Sequence, residues 1–559
     1  MNIESANARN TREVPVNSLL KSLATNLSCL LALLLLSSVP FSHAQAASKP
    51  SPLPSIVQKD GRFALLVDGE PYLMLAAQVN NSSAWPAMLS KVWPTAEHLG
   101  VNTLEVPIYW EQFESQQGHF DPSVLHTLLS QAREHHVHLV LLWFGTWKNG
   151  SGHYTPSYIK LDEARAPHVI DAKGNKVDSL SPISEFALKA DRAAFAALMR
   201  ALKSADPQHT VLMVQVENEP GTYGSVRDHS PDAQRIFAGT VPATLLTAMN
   251  KQPGTWQQVF GTDADEFFHA WMVAHYIGQV AEAGKKEYAL PLYVNVALRD
   301  PFNARPGSYE SGGATDNVLP IWKAAATAID LICPDIYMPE YAKYVKVLDL
   351  YHRPDNAMFV PETGNSPSYA RYFFAALGHQ AFGFSPFGMD TTGYVNAPLG
   401  AARINDEALA PFALNYSIFG PMARIIAKLN FEGKLQAVSE DPEVHTQVLD
   451  FGAWKATVSY GLPQFGTGNP PAGNMAPDGG AMVAQLGPDE FLVTAVHARV
   501  DFEPAVQSPA KHRQFVRVEE GVYVGHDWRF ERIWNGDQTD YGLNFTSAPQ
   551  VLRVRLATY

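Results

Sequence analysis

The chain has 559 residues, of which 46% are hydrophobic and 17% are charged, and its formal net charge is −13. These values indicate a large globular protein with a sizeable core. The negative charge excludes an ordinary nucleic-acid-binding protein, because phosphates attract a basic surface. It also argues against an anionic membrane surface and favours a neutral substrate.

The first 44 residues have the pattern of a secretory signal peptide. Basic residues precede the apolar run LSCLLALLLLSSVPF, and Ser42-His43-Ala44 offers a small-x-small cleavage site. The run is short for a membrane-spanning helix, so an uncleaved anchor is the less favoured alternative. The sequence therefore predicts export to a bacterial periplasm or the extracellular space, with residues 45–56 as a linker. Cys333 would then be the one cysteine of the mature chain, and no intramolecular disulfide is expected.

Eight strand-like apolar runs follow, and helix-like stretches lie between them. The runs occupy residues 71–79, 101–110, 136–145, 210–219, 290–298, 328–337, 356–363 and 380–388. Helices are predicted over 122–136, 184–205 and 265–286. Strands rich in Val, Ile and Leu that alternate with amphipathic helices indicate a parallel sheet. Eight repeats predict an α/β fold, a (β/α)8 TIM barrel over 57–432 that closes with a helix near 408–430. A doubly wound open sheet is the alternative, but the Gly-rich phosphate turn that usually accompanies it is missing.

The texture of the sequence changes near residue 433. Short alternating runs such as KATVSYG and QFVRVEEGVYVG are separated by Gly, Pro and Asp. This pattern predicts a smaller antiparallel β-sandwich-like domain over 433–559. Residues 463–480 are expected to form a long loop.

Carboxylates stand at the ends of two predicted barrel strands. The fourth run ends at Glu217-Asn218-Glu219, and the seventh, NAMFVPET, ends near Glu362. The carboxyl ends of the strands form the active site of a TIM barrel, so we expect Glu219 and Glu362 to face each other across its mouth. Two facing carboxyl groups, one protonated and one ionised, are what glycoside cleavage needs, and this chemistry requires no metal and no cofactor.

Position along the strands suggests a role for each group. Glu219 is nearer the strand end than Glu217 and is assigned as the general acid/base. Side chains alternate along a strand, so Glu217 is expected on the same face, where its charge would help to keep Glu219 protonated. Glu362 is assigned as the nucleophile, with Tyr337 as a hydrogen-bonding partner that orients it. Asn218 is expected to contact a sugar hydroxyl.

Further strand-end residues are candidate substrate contacts. Trp143 and Trp147 are proposed as platforms for a sugar ring, with core packing as the alternative for both. Glu105 is a candidate as well, although a buried ion pair with an arginine would also explain it. The remaining candidates are Tyr109 and Asn295.

The segment MVQVENEPGTYG resembles the acid/base motif Gln-x-Glu-Asn-Glu-Tyr-Gly of glycoside hydrolase family 35, the β-galactosidases of clan A. LGVNTLEVPIYWEQFESQQGHFD is similar to the second-strand region of that family, and the resemblance covers about residues 60–430. It implies a retaining enzyme with Glu219 as acid/base, Glu362 as nucleophile and Asn218 as a ligand of the sugar 2-hydroxyl. It also implies galactose in the first subsite.

The chain departs from the family pattern in two places. Pro220 replaces the usual Tyr, and the third-strand region reads WFGTWKNG where the family has a Cys-Ala-Glu-Trp-like run that touches galactose. The second departure leaves the identity of the bound sugar undetermined. The C-terminal domain, which ends in RVRLATY, looks like the appendage of a bacterial subgroup whose members act on galactose-bearing plant polysaccharides such as xyloglucan.

The sequence thus favours an exported exo-acting β-galactosidase whose partner is an oligosaccharide or polysaccharide with terminal β-galactose. An endo-glycanase or transglycosidase of the same clan is one alternative, and a non-catalytic carbohydrate-binding barrel protein is another. A pocket closed by loops 149–183 and 220–264 would favour the exo mode, and an open cleft the endo mode. The linkage, the aglycone and homo-oligomer formation are not fixed by the sequence.

Overall fold

The computed structural model describes residues 51–506 and 512–559. The predicted signal peptide, residues 1–44, lies outside these ranges, as does the first half of the predicted linker. The described chain opens with a three-stranded antiparallel sheet, β1 (Ser55–Lys59), β2 (Arg62–Val67) and β3 (Glu70–Tyr72). Arg424 donates hydrogen bonds to the carbonyl oxygens of Val67 and Glu70 at 2.9 and 3.0 Å. This sheet is thereby fastened to the last helical segment before the C-terminal domain.

Eight parallel strands close into a barrel. The strands that follow β3 are, in chain order, β4 (Met74–Gln78), β5 (Thr103–Tyr109), β6 (His138–Lys148), β7 (His168–Ile170), β8 (Lys176–Leu180), β9 (Val211–Asn218), β10 (Leu292–Ala297), β11 (Leu331–Ile336), β12 (Val360–Thr363) and β13 (Gly383–Pro386). β7 and β8 form a separate hairpin, and the other eight close in the order β10-β11-β12-β13-β4-β5-β6-β9. Each predicted run overlaps one barrel strand, so the predicted TIM barrel is confirmed.

Helices surround the barrel and fill its loops. They are α1 (Trp93–Leu99), α2 (Trp110–Phe113), α3 (Ser123–Glu134), α4 (Ser157–Lys160), α5 (Glu185–Ala205), α6 (Pro231–Phe237), α7 (Ala243–Ala248), α8 (Trp256–Phe260), α9 (Ala264–Glu287), α10 (Leu319–Ala325), α11 (Tyr341–Tyr351), α12 (Tyr372–Gly378), α13 (Asp406–Phe419) and α14 (Ala423–Phe431). The single helix expected near 408–430 is two helices, because Pro421 has no N–H to continue the ladder. No helix within 51–506 or 512–559 combines the length and apolar character needed to cross a bilayer.

The C-terminal strands form two antiparallel sheets, as the alternating pattern predicts. The strands are β14 (Leu435–Ser439), β15 (Thr446–Asp450), β16 (Trp454–Ser459), β17 (Gly480–Gly487), β18 (Glu490–Val496), β19 (Ala498–Pro504), β20 (Arg513–Val524), β21 (Asp527–Ile533), β22 (Leu543–Phe545) and β23 (Leu552–Thr558). The six-stranded sheet has the order β14-β17-β18-β23-β20-β21, and the four-stranded sheet has the order β15-β16-β19-β22. Val458, Val493 and Phe502 are among the side chains buried between them.

The six-stranded sheet shares a hydrophobic core with the barrel. Leu435, Met482 and Leu492 belong to the same continuous buried cluster as the barrel interior. The contact at the end of α12 is tight, because a Cβ atom on Gly378 would lie 2.0 Å from the carbonyl oxygen of Ala437. The two parts of the chain are therefore packed as one body.

A buried carboxylate organises the barrel end opposite the strand termini that carry Glu219 and Glu362. Asp206, between α5 and β9, accepts hydrogen bonds from the backbone N–H groups of Thr210 (2.9 Å) and Val211 (2.8 Å). It also accepts one from Arg133 of α3 at 2.7 Å. Asp206 is fully buried, so its two backbone hydrogen bonds are shielded from water, and the partly exposed Arg133 compensates its charge.

Asp206→Asn should lower the free energy of unfolding by about 3 kcal/mol, because the amide places an N–H group against a buried donor and loses the charge that faces Arg133. Urea denaturation of both proteins measures the change. The matched control is Asp232→Asn, which breaks an exposed ion pair with Arg235 (2.8 Å) and should change stability little. Equal losses in the two variants would contradict the assignment.

Candidate active site

Three carboxyl groups converge at the mouth of the barrel. One oxygen each from Glu219, Asp335 and Glu362 lies within 4.8 Å of the other two. Glu219 directly follows β9, Asp335 is on β11 and Glu362 is on β12, where it pairs in register with Asp335. The carboxyl ends of parallel strands meet at one face, which brings together groups that are far apart in the sequence.

Glu362 is held by two hydrogen-bond donors. The hydroxyl of Tyr337 donates to its Oε1 at 2.5 Å, and Nε2 of Gln78 donates to its Oε2 at 2.9 Å. Burial, followed by the charge of Glu362, raises the pKa of Tyr337 well above its ordinary value, so the phenol remains a donor. Both oxygens of Glu362 thus accept bonds, an arrangement that suits an ionised and oriented carboxylate.

The backbone around Glu219 leaves the strand conformation. Glu217 has φ +64° and Glu219 has φ +44°, which is the left-handed region that non-glycine residues seldom occupy. Each such residue costs about 1–3 kcal/mol. Three hydrogen bonds support the segment: Asn295 Oδ1 accepts from the Glu219 N–H (2.8 Å), and the carbonyls of Asn218 and Glu219 accept from Asn149 and Gly150.

This kink corrects the expectation for Glu217. Its carboxyl does not share a face with that of Glu219 but lies against Asp191 of α5, on the helix side of the barrel wall. Oε2 of Glu217 accepts a hydrogen bond from the N–H of Trp147 at 2.7 Å. Simple alternation fails here because two left-handed residues rotate the chain between the two glutamates.

Burial is the main reason why the pKa of Glu219 rises to about 8, and the neighbouring charge of Glu362 is the second. Lys148 acts in the opposite direction, and Glu217 is not among the main causes. Glu219 lies deep in the mouth, crowded by protein, but remains partly open to solvent, whereas Asp335 and Glu362 are buried. At neutral pH the site therefore holds Glu219 as a reachable acid.

Asp335 is the third member of the cluster. Its Oδ2 accepts a hydrogen bond from Nδ2 of Asn295 at 2.6 Å. Burial, together with the charges of Glu362 and Glu219, raises the pKa of Asp335 well above its ordinary value. A protonated Asp335 can therefore donate a hydrogen bond to the carboxyl group of Glu219.

The two asparagines of the site differ in whether their side-chain amides already have hydrogen-bond partners. Asn295 uses its Oδ1 on Glu219 and its Nδ2 on Asp335, so it positions both acids. Asn218 is fully buried, and within the described residues neither its Oδ1 nor its Nδ2 has a hydrogen-bond partner. An unsatisfied buried amide is costly, and a bound ligand would satisfy it.

Glu105 and Tyr109 occupy different depths of the second barrel strand, β5. Glu105 is fully buried and accepts from the hydroxyl of Tyr293 at 2.7 Å, rather than from an arginine; burial raises its pKa to about 8. Tyr109, at the strand end, is stacked between Trp85 (5.3 Å between ring centroids) and Tyr154 (5.5 Å). Of these rings, Trp85 is the one exposed to solvent.

The structure corrects the expectation that Trp143 and Trp147 present ring faces to a sugar. Trp143 is fully buried on the outer side of the barrel, where its Nε1 donates to Asp191 at 2.9 Å and its ring meets Phe195 of α5. Trp147 is equally buried, with its ring edge-on to Tyr276 of α9. Side-chain alternation along β6 sends both rings into the helix layer, which is the core alternative.

Sequence reasoning left out four residues of the mouth. Asp335 and Gln78 end predicted strands as Glu219 does, and that position is the signal that could have found them. Lys148 is nearly buried, and its charge lowers the pKa of Glu219 and of Asp335. Trp85 lies in a loop with no periodic pattern, and nothing in the sequence separates it from a core tryptophan.

Loops tied to one another form a wall on the Glu219 side. Thr222 and Ser311 exchange two backbone hydrogen bonds at 2.8 and 3.0 Å, which joins the loops after β9 and β10. Gly221 has φ +135°, and a Cβ atom there would lie 2.5 Å from the carbonyl oxygen of Glu310. Only glycine permits this approach. Gly150, from the loop after β6, bonds to the Glu219 carbonyl, so three loops meet around the acid.

The arrangement allows two kinds of chemistry. Oxygens of Glu219, Asp335 and Glu362 are close enough to ligate one cation, and Lys148 would compete with it for their charge. The asymmetry favours proton transfer instead, since Glu219 holds a proton while Glu362 accepts two hydrogen bonds.

Comparisons with known proteins found one family model and several similar solved structures. A family model described as a domain of unknown function (DUF5597) matches residues 412–546, from α13 to β22. No curated protein sequence matches the chain. Solved β-galactosidases are similar in structure, from Bacillus circulans sp. alkalophilus (12% identity, TM-score 0.48), Rahnella sp. R3 (15%, 0.47) and Marinomonas ef1 (14%, 0.46).

The alignments cover 63%, 64% and 64% of this chain and 57%, 58% and 61% of those enzymes, respectively. The chain therefore spans less than two thirds of their length. Similarities at this level carry no argument about activity, which must come from the site itself.

Glu362→Gln should lower the pKa of Glu219 from about 8 by about 1 pH unit or more, because a negative charge that opposes its ionisation is removed. Carboxyl ¹³C NMR of glutamate-labelled protein can follow the titration, with the Glu219 signal identified by its loss in Glu219→Gln. Glu407→Gln, at the exposed start of α13, is the control and should leave the titration unchanged. An unaltered pKa in Glu362→Gln would show that the two groups do not interact.

Proposed function

We propose that this protein is a retaining glycoside hydrolase that acts as an exported exo-β-galactosidase. The observation that carries the proposal is the convergence of Glu219 and Glu362, with oxygens within 4.8 Å: burial raises the pKa of Glu219, while both oxygens of Glu362 accept hydrogen bonds from Tyr337 and Gln78. Carboxyl groups about 5 Å apart are typical of retaining enzymes, whereas inverting enzymes keep them about 6.5–9.5 Å apart to admit a water.

Glu362 is the nucleophile. It attacks the anomeric carbon while the bond from that carbon to the glycosidic oxygen breaks, and Glu219 gives its proton to the departing oxygen. The hydrogen bonds from Tyr337 and Gln78 hold the attacking carboxylate in one orientation, which reduces the entropy lost on reaching the transition state.

The same pair accounts for the second step. Once Glu362 is esterified by the sugar it carries no charge, so a principal cause of the raised pKa of Glu219 disappears. Glu219, now ionised, takes a proton from a water molecule that attacks the anomeric carbon. The water oxygen bonds to the anomeric carbon as the ester bond from that carbon to Glu362 breaks, so the sugar leaves with its original configuration, Glu219 holds a proton again and Glu362 regains its charge.

Neighbouring groups complete the site. Asp335 donates a hydrogen bond to Glu219 and accepts one from Asn295, which keeps Glu219 in place between the two steps. The unpartnered amide of Asn218 offers one donor and one acceptor to a sugar hydroxyl, and we assign it to the 2-hydroxyl.

The substrate assignment combines the resemblance with the shape of the mouth. The resemblance implies terminal β-galactose, including side chains of plant polysaccharides such as xyloglucan. The loops that join at Thr222, Ser311 and Gly150 support a pocket closed on one side, which favours release of single terminal sugars. Export follows from the leader pattern at residues 1–44 and is part of the proposal.

Azide rescue tests which carboxylate attacks. Glu362→Ala should lose at least about 10³-fold in kcat with a dinitrophenyl β-galactoside. Added azide should restore turnover and give the α-galactosyl azide, because azide enters from the face that Glu362 vacates. In Glu219→Ala, azide should give the β-galactosyl azide, because the galactosyl-Glu362 ester still forms first. The anomer obtained from each variant therefore assigns the role directly.

Leaving-group dependence tests the acid. Glu219→Gln should slow hydrolysis of an alkyl β-galactoside by about 10²–10⁴-fold, because the alkoxide needs a proton. Formation of the glycosyl-enzyme from a dinitrophenyl β-galactoside, seen as a burst of dinitrophenolate, should be affected far less. Equal losses on both substrates would count against Glu219 as the acid.

The alternatives predict different outcomes. Wild-type protein that binds galactose but hydrolyses no glycoside would be the non-catalytic barrel. Internal cleavage of a polysaccharide, with no release of single sugars, would be the endo mode. Glucose or arabinose release in place of galactose would keep the mechanism and overturn the sugar assignment.

A further inference from the structure

One face of the C-terminal domain carries a polar groove far along the chain from the barrel carboxylates. In the four-stranded sheet, side chains alternate between the buried core and the outer face. Ala456, Val458 and Val500 point inward. The outer face presents hydroxyl, carboxyl and guanidinium groups, namely those of Thr446, Thr457, Ser459, Arg499, Asp501 and Glu503. Register pairing places Thr457 beside Asp501 and Ser459 beside Arg499.

A loop forms the wall of this groove and is held in place by Arg499. The guanidinium donates to the carbonyl oxygen of Gly466 at 2.9 Å and to that of Pro463. Nδ2 of Asn544 donates to Oε1 of Gln464 at 2.8 Å, which ties the same loop to β22. Arg499 is 4% exposed, and its Nε has no hydrogen-bond partner among the described residues. The wall is therefore held by the nearly buried guanidinium of Arg499 and by a surface hydrogen bond from Asn544.

The groove encloses a cavity of about 330 Å³, which also touches Leu462, Thr467, Gly468, Asn469, Pro471 and Tyr541. This volume lies at the lower end of the range for small-molecule sites. It matches a ligand of one or two rings whose remainder extends into solvent.

One exposed aromatic ring lines the groove: Tyr541 touches the cavity and is 41% exposed. The loop that forms the wall carries a second exposed ring, Phe465, which is 58% exposed. Exposed aromatic rings beside a polar cavity suit a ligand with both apolar C–H faces and hydroxyl groups. Sugars have this combination.

Charge narrows the class of ligand. Asp501 and Glu503 line the cavity, and Asp501 is already paired with Arg513 at 3.0 Å. Nη1 and Nη2 of Arg499 already donate hydrogen bonds to carbonyl oxygens of the loop. Among the described residues that line the groove, Arg499 is the one cation, and the carboxylates of Asp501 and Glu503 outnumber its charge; the chain as a whole carries −13. A polyanion is therefore disfavoured, whereas hydroxyl groups can bond to Thr457, Ser459 and the carboxylates.

We propose that this groove is a second carbohydrate-binding site, which takes a neutral oligosaccharide and acts independently of the barrel. It binds one or two sugar rings by stacking on Tyr541 and by hydrogen bonds to Thr457, Ser459 and Asp501. The site makes no catalytic contribution, so its existence does not depend on the function proposed for Glu219 and Glu362.

Calorimetric titration of the full chain tests the proposal. Glu362→Gln serves as the parent so that no probe is consumed, and the probes are cellohexaose, β-1,4-galactohexaose and a xyloglucan oligosaccharide. At least one probe should bind with a Kd below about 1 mM. Tyr541→Ala and Thr457→Val, each added to the parent, should weaken that binding at least about tenfold or abolish one of two sites. Tyr559→Ala, which removes another exposed tyrosine ring, should leave binding unchanged.

Failure here is separable from failure of the barrel chemistry. In the otherwise wild-type chain, Tyr541→Ala should hydrolyse small chromogenic galactosides at the wild-type rate. Binding that is identical in the parent and both groove variants would overturn the groove, as would a parent that binds none of the three probes. Retained folding of Thr457→Val, which keeps the β-branched shape, is checked by its melting temperature.

Discussion

The charge of Glu362, placed beside a buried Glu219, is the interaction on which the rest of the site depends. Two carboxylates this close in a poorly solvated mouth cannot both ionise easily, so one keeps its proton. The structure decides which one by giving Tyr337 and Gln78 to Glu362 and no comparable pair of neutral donors to Glu219. The result is one glutamate with a raised pKa beside another that accepts two hydrogen bonds, and any change in the charge of Glu362 alters the pKa of Glu219.

The strained backbone that this arrangement requires is stabilised by the surrounding residues. Glu219 reaches the mouth only because residues 217 and 219 adopt left-handed backbone conformations, and these are supported from both sides of the barrel wall. On the inside, Asn295 binds the Glu219 N–H; on the outside, Glu217 binds the Trp147 N–H and lies against Asp191. The strain is thus offset by contacts that never touch a ligand.

Much of the fold was predictable, because strand alternation and apolar runs reflect burial directly. The eight runs locate the barrel strands, and the change of texture near residue 433 locates the antiparallel sheets. Placing Glu219 and Glu362 at strand ends needed only the rule for barrel mouths.

The direction of individual side chains was harder, because Glu217 follows a local backbone kink that no periodic pattern encodes. The same holds for Trp143 and Trp147, because the sequence around a tryptophan near a strand end does not show whether its ring faces the helices or a ligand. Asp335 could have been predicted as a site residue, because it lies near the end of a strand. Its contact with Glu219 could not, because the two residues are 116 positions apart (335 − 219) and meet only in the tertiary structure.

Leu435, Met482 and Leu492 share a hydrophobic core with the barrel, so the C-terminal sheets are packed directly against the domain that holds Glu219 and Glu362. Modules on flexible linkers raise the local concentration of a substrate by sampling many orientations. A module fused through its core cannot search in that way. It instead imposes a fixed geometry, because any polymer engaged by both parts must present its two contact points at one spacing and one angle.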